Sequence, residues 1–116
     1  MGKAAIVAAM LLAAGGARAA VPLKFWNTSS QAFTGVYLAA PGTAKWGPNQ
    51  AANDPDGAVS ADERLKLPDV APGRYDVRLV QKDGRSCVVK DVELRASGPY
   101  AFSIGDPELK ACRPSR

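Results

Sequence analysis

The stretch from Ala71 to Leu94 limits the fold of this chain more than any other. Ala71-Pro72-Gly73-Arg74 is a turn, with Pro and Gly where type I and II turns want them. Tyr75, Val77 and Leu79 then point one way while Asp76 and Arg78 point the other, the period of a half-buried strand. Asp83-Gly84 predicts a hairpin through a type I′ turn, whose two central residues need positive φ. The return strand runs from Ser86 to Leu94. Cys87 and Val89 lie on one phase and Val92 and Leu94 on the other, so a bulge is expected near Lys90-Asp91. A long antiparallel hairpin of this kind needs a second layer to cover its apolar face.

The rest of the chain supplies that layer in short strands. Leu23–Asn27 alternates and ends in a polar turn at Asn27 to Ser30. Phe33–Leu38 is a second run, with Gly35 a bulge or close-approach point. Arg64–Leu67 alternates with both leucines on one face, and Tyr100, Phe102 and Ile104 form a last strand. Residues 39–62 are too rich in Ala, Gly, Pro, Asn and Asp for a regular element. Nowhere does helical spacing persist for ten residues. The expectation is a small antiparallel β-sandwich of six to seven strands, with a partly open β-barrel as the alternative.

The N-terminus has the pattern of an export signal. Lys3 is followed by an apolar run from Ala4 to Ala14 and by Ala17-Arg18-Ala19, a small-x-small cleavage site. The run falls short of the roughly 20 apolar residues of a membrane span. The chain thus divides into a signal peptide, residues 1–19, and a single domain, residues 20–116, and the mature protein is expected to be periplasmic or secreted. No Arg-Arg pair and no cysteine just after the cleavage site suggest the twin-arginine route or a lipid anchor. Without Lys3 and Arg18, 13 basic residues face 11 acidic ones, interspersed and without a basic block. Neither a nucleic-acid footprint nor membrane insertion of the mature chain is expected.

The side chains available exclude much chemistry. The sequence contains no histidine, which removes Ser-His and Cys-His catalysis and the commonest zinc ligand. Cys87 and Cys112 are the only cysteines. In an oxidising compartment they read as one disulfide, contributing roughly 3 kcal/mol in the chain-entropy model. A redox-active thiol has less support, with no C-x-x-C motif. Two carboxylates in a cleft can act as acid and base, but a sandwich this small seldom encloses a sugar, and no catalytic residue is expected.

Two candidate sites remain. Within the acidic loop 52–63, Asp54 to Glu63 fit the latter part of an EF-hand loop, with oxygen ligands for calcium at Asp54, Asp56, the Ala58 carbonyl, Ser60 and Glu63, and Gly57 at the turn. Against this, Ala52 occupies the first ligand position, Pro55 stiffens the loop, and a strand rather than a helix follows Glu63. A solvated acidic loop is the competing reading. The second site is Lys45, Trp46 and Asn49 in Lys45-Trp46-Gly47-Pro48-Asn49, off any strand. Trp46 there either caps one end of the sandwich or contacts a partner. Trp26, Tyr37 and Tyr75, in strands, are expected to pack as core aromatics, with the Tyr75 hydroxyl near the sheet end. Asn27 and Asn49 are expected to tie loop backbone, and Asp76 to form a surface ion pair.

A pattern runs through these segments: Phe25-x-Asn27, Val36-Tyr37-Leu38, Trp46-Gly47-x-Asn49-Gln50, Gly73-x-Tyr75-Asp76-Val77-Arg78-Leu79-Val80 and Asp83-Gly84. It resembles a family of small exported bacterial β-domain proteins of uncharacterised role. The resemblance implies a compact exported domain and carries over no catalytic residues. The chain departs from that pattern between Gln50 and Leu65, where it is richer in acids. The functional expectation is a non-catalytic exported accessory or interaction module meeting an envelope protein, without a cofactor. The alternative is a calcium- or small-ligand-binding module using loop 52–63.

Overall fold

The computed structural model describes residues 21–114; the expected signal peptide, residues 1–19, lies outside them. Seven strands form two sheets: β1 (Leu23–Asn27), β2 (Phe33–Ala39), β3 (Arg64–Leu67), β4 (Gly73–Gln81), β5 (Ser86–Leu94), β6 (Phe102–Ile104) and β7 (Arg113–Pro114). One sheet has the order β3-β1-β6 and the other β2-β4-β5-β7. The chain is therefore a small β-sandwich and not a barrel. It is not purely antiparallel, because β1 pairs with β6 in parallel, Phe25 opposite Phe102. No helix among the described residues is long and apolar enough to cross a membrane.

Alternation builds both inner faces. In β1 and β3, Leu23 lies opposite Leu67 and Phe25 opposite Leu65, while Lys24–Lys66 and Trp26–Arg64 form the outward pairs. In β4, Val77 and Leu79 are fully buried, facing Val89 and Cys87 of β5. Phe25 stacks on Phe102 at 4.7 Å and on Phe33 at 6.3 Å, joining the two sheets. Burying side chains of this size stabilises the fold by about 1.5–3 kcal/mol each. Tyr75 packs against this core, and its hydroxyl donates to the Ala71 carbonyl at 2.6 Å, as its place at the strand start predicts.

Bulges set the register. The Tyr75–Val92 pair is followed by Val77–Val89, so Asp76 faces both Lys90 and Asp91, at the expected position. A second irregularity falls between Phe33 and Gly35. A Cβ at Gly35 would stand 2.8 Å from the Tyr37 ring and 3.0 Å from Val80, so only glycine fits there. The Asp83-Gly84 hairpin forms by a different turn. Gly84 has φ 93° while Asp83 stays outside the positive region. The Gly84 amide donates to Gln81 O and the Gln81 amide to Arg85 O. This is a three-residue loop closed by a glycine bulge. The Asp83 carboxylate favours it by accepting from the Arg85 amide at 2.9 Å.

Two elements depart from the expected plain strands and loops. Gln50–Asn53 makes one 3-10 turn. Asp106–Ala111 forms a short helix, α1. Pro107 fits its first turn, Glu108 accepts from the Gly105 amide at 2.7 Å, and Asp106 accepts from the Ser30 amide and hydroxyl. A disulfide joins Cys87 of β5 to Cys112 just after α1, their Cα atoms 5.7 Å apart. It fixes β7 against β5.

Candidate functional site

The site begins with a buried carboxylate. Asp76 projects from the outer face of the four-stranded sheet, where strand alternation predicts solvent, yet it is 2% exposed. The loop after β2 folds over it, and the Gly42 amide donates to Asp76 Oδ2 at 2.8 Å. The Asp91 amide, freed from the ladder by the bulge, donates to Oδ1 at 2.9 Å. Lys90 Nζ lies 3.3 Å from Oδ2. Burial pushes the Asp76 carboxyl upward, but the two amides and Lys90 outweigh it and hold it below the usual carboxylate range. The expected surface pair is thus a buried hub joining loop, bulge and strand.

That hub positions the Trp46 loop. The turn is closed by the Thr43 amide and hydroxyl, both donating to the Ala40 carbonyl. Ala44 takes φ 54°, a left-handed conformation uncommon for a residue with a side chain. On the far side the Gly47 amide donates to Leu38 O. Asn49 then plugs the β2 irregularity. It accepts from the Val36 amide and donates to Thr34 O, while also accepting from the Ala51 amide to start the 3-10 turn. Asn49 therefore serves the scaffold, as the amide argument predicts, through one donated and two accepted hydrogen bonds.

Trp46 itself is half-buried and Lys45 exposed. Trp46 borders a hollow of about 210 Å³ walled by Asp76, Val88, Lys90, Arg113 and Pro114. It lies on the outer face of a sheet rather than at an end of the sandwich. Among the described residues its indole N–H has no acceptor and its ring no stacking partner. Beside it, the cross-strand row Tyr37–Arg78–Val88–Arg113 spans the sheet, with the Arg78 guanidinium 5.2 Å from the Tyr37 ring.

The outer face of the other sheet is built differently. Trp26 stands outward, not in the core, because Asn27 and Phe25 take the inward phase of β1. Its ring lies 4.8 Å from Tyr100, and the Arg64 guanidinium sits 4.5 Å over it. The indole N–H donates to Asp62 at 3.0 Å, and Arg64 Nε donates to the Tyr100 hydroxyl. Tyr100 precedes β6 instead of belonging to it. Asn27, fully buried, organises the adjoining loops by donating to Gln31, Val59 and Ser60 carbonyls and accepting from Ser29.

The acidic loop is assembled around a pair. Asp54 is buried, accepts from the Asp56 amide at 2.8 Å, and is hydrogen-bonded to Glu63. That bond is the main cause lowering Asp54 and raising Glu63, with Asp56 adding a small repulsive push on Glu63. One proton shared between the two carboxyls accounts for both directions. Glu63 also accepts from the Ser60 amide at 2.7 Å, and Ser60 gives its carbonyl to Asn27. Val59 bridges to Phe33, holding Ala58 and its neighbours along β2. Of the five calcium candidates, Asp54 and Glu63 meet, and among the described residues no three acidic groups converge as a metal cage would need.

Sequence reasoning missed Asp76, Lys90 and Arg113 as parts of the Trp46 face. The bulge at Lys90-Asp91 was a usable signal, since a bulge frees an amide that a nearby carboxylate can accept. No family model, curated protein or solved structure matches this chain.

Proposed function

We propose that this protein is an exported, non-catalytic interaction module that meets an envelope protein through the Trp46 face. The observation carrying the reading is that Trp46 is held in place at both ends of its loop yet, among the described residues, its ring and N–H have no partner. Tryptophan anchored in this way fits the profile of an interface hot spot. Export is supported by the Lys3–Ala19 pattern and by the Cys87–Cys112 disulfide, which suits an oxidising compartment. The resemblance to small exported β-domain proteins points the same way. The paired acids Asp54 and Glu63 hold their own loop, which suits a structural role better than acid–base catalysis.

The test is site-specific photocrosslinking in the native host. A photoreactive residue at Lys45, beside Trp46, is expected to give a discrete protein adduct in the envelope fraction. The same residue at Lys66, on the other sheet, is expected to give none. Equal labelling at both positions, or a protein retained in the cytoplasm, would remove the reading.

A further inference from the structure

We propose that the Trp46 face receives an acidic, extended protein segment, with Arg113 as its carboxylate anchor; this rests on the docking reading above and names the partner's chemistry. Two hollows meet at the sheet edge. The first, of about 210 Å³, is walled by Trp46 and Pro114; the second, of about 230 Å³, by Glu108 and Cys112. Val88, Lys90 and Arg113 line both. Each is smaller than the roughly 300–1,000 Å³ of a small-molecule site. Two side-chain-sized hollows with a shared rim suit consecutive anchors of one chain crossing β7, the outermost strand of its sheet.

Charge selects the sign of that chain. The carboxylates lining the two hollows are Asp76 and Glu108, and both are already engaged. Asp76 holds Lys90 and two amides, and Glu108 holds the Gly105 amide. Arg113 is exposed and has no ion-pair or hydrogen-bond partner among the described residues. Lys90 turns a 56% exposed side chain to the same rim, and Arg78 lies on the same face. An incoming Glu or Asp beside the apolar wall of Trp46, Val88 and Pro114 would find a guanidinium free to bind it bidentately. Arg113, unpaired among the described residues, stands on a strand that the Cys87–Cys112 disulfide holds in position, so the backbone carrying the anchor is preorganised.

The experiment is a ¹H–¹⁵N titration of the oxidised domain. The probe is a degenerate pool of blocked nine-residue peptides with two central glutamates, against the same pool carrying glutamine. The acidic pool is expected to move the Trp46 indole and Arg113 Nε signals saturably and to leave the Trp26 indole in place. Arg113→Gln is expected to weaken binding about tenfold, and added salt to weaken it further. Equal binding of the glutamine pool would overturn the acidic assignment while leaving Trp46 docking intact. No movement with either pool would also overturn it, and the Lys45 crosslink would then judge the docking reading separately. A response to a sulfated glycan but not to the peptides would reassign the face to a different polymer and overturn it as well.

Discussion

The two outer faces of the sandwich each carry a tryptophan, and they treat it in opposite ways. Trp26 is closed: Asp62 takes its N–H, the Tyr100 ring packs tilted against it and Arg64 covers its ring. Trp46 is open, with a scaffold beneath it and, among the described residues, no partner for its ring or its N–H. A closed aromatic cluster lowers the free energy of the folded chain by itself. An open one leaves that energy unrealised until something else arrives. The difference separates an aromatic serving stability from one available for binding, and neither composition nor strand propensity distinguishes them.

The comparison breaks most severely at Asp76. Asp76→Ala removes the acceptor for two amides and leaves Lys90 unpaired beneath the Trp46 loop. The expected loss is about 3 kcal/mol, a fall in Tm of about 12–24 °C for a domain of this size. The open face should loosen first, so hydrogen exchange at Gly42 and Asp91 should rise more than at Trp26. The same carboxylate makes stability depend on pH. Its folded pKa lies below the unfolded value, so its contribution is present above about pH 4 and lost as pH falls through the folded value. If acid unfolding of Asp76→Asn follows the wild-type curve, the hub is energetically idle.

Next comes the covalent edge of the open face. Replacing Cys87 and Cys112 together by Ala should cost roughly 3 kcal/mol and free β7, moving Arg113 away from Val88. Near-ultraviolet signals from Trp46 should change while those from Trp26 persist. Loss of both together would show that the faces unfold as one unit.

These elements show what the sequence made legible. Arg64–Leu67 and Tyr75–Leu79 were plain because alternation reports the phase of a strand directly, and the bulge at Lys90-Asp91 followed from a phase change. The disulfide followed from two cysteines and a compartment. The burial of Asp76 is invisible to alternation, which says which residues share a face, not what covers that face. A loop thirty-four residues earlier in the chain covers it. The same limit makes Trp26 read as core, since its partners Asp62, Arg64 and Tyr100 are remote in sequence. The parallel β1–β6 pair was invisible because no local turn chemistry announces it. Asn49 was recognisable as a loop-tying amide, but not as the plug of the β2 irregularity.

A smaller effect belongs to the Asp54–Glu63 pair of the acidic loop. Glu63 has a raised pKa, so its contribution is present below about pH 4.3 and lost as pH rises through the folded value. Asp54 is lowered and behaves oppositely, so the pair contributes most in a window near pH 4. Glu63→Gln keeps an acceptor for the Ser60 amide and offers Asp54 a permanent N–H donor. It should raise Tm at pH 7 by about 2–4 °C and flatten the pH dependence above pH 4. Calcium in excess over chelator should leave the wild-type melt unchanged. A calcium-dependent rise abolished by Glu63→Gln would instead restore the metal-binding reading of Asp54, Asp56, Ala58, Ser60 and Glu63.

The smallest effect is expected at Trp46, the residue on which the docking proposal turns. Trp26→Ala removes a hydrogen bond to Asp62, a ring contact and an arginine stack, at an expected cost of about 2–3 kcal/mol. Trp46→Ala removes only part-buried surface from a loop whose other anchors remain, so the cost should stay below about 1 kcal/mol. Parallel thermal melts of the two variants decide the matter. Equal losses would mean that Trp46 is core in another guise and the faces do not differ in kind. A large loss at Trp26 with a near-silent Trp46 would mean that the chain keeps a tryptophan at 46 without using it to fold. A half-exposed indole kept in register by Asp76, Leu38 and Asn49 then has its energetic role outside the molecule, where a bound partner supplies the missing contacts.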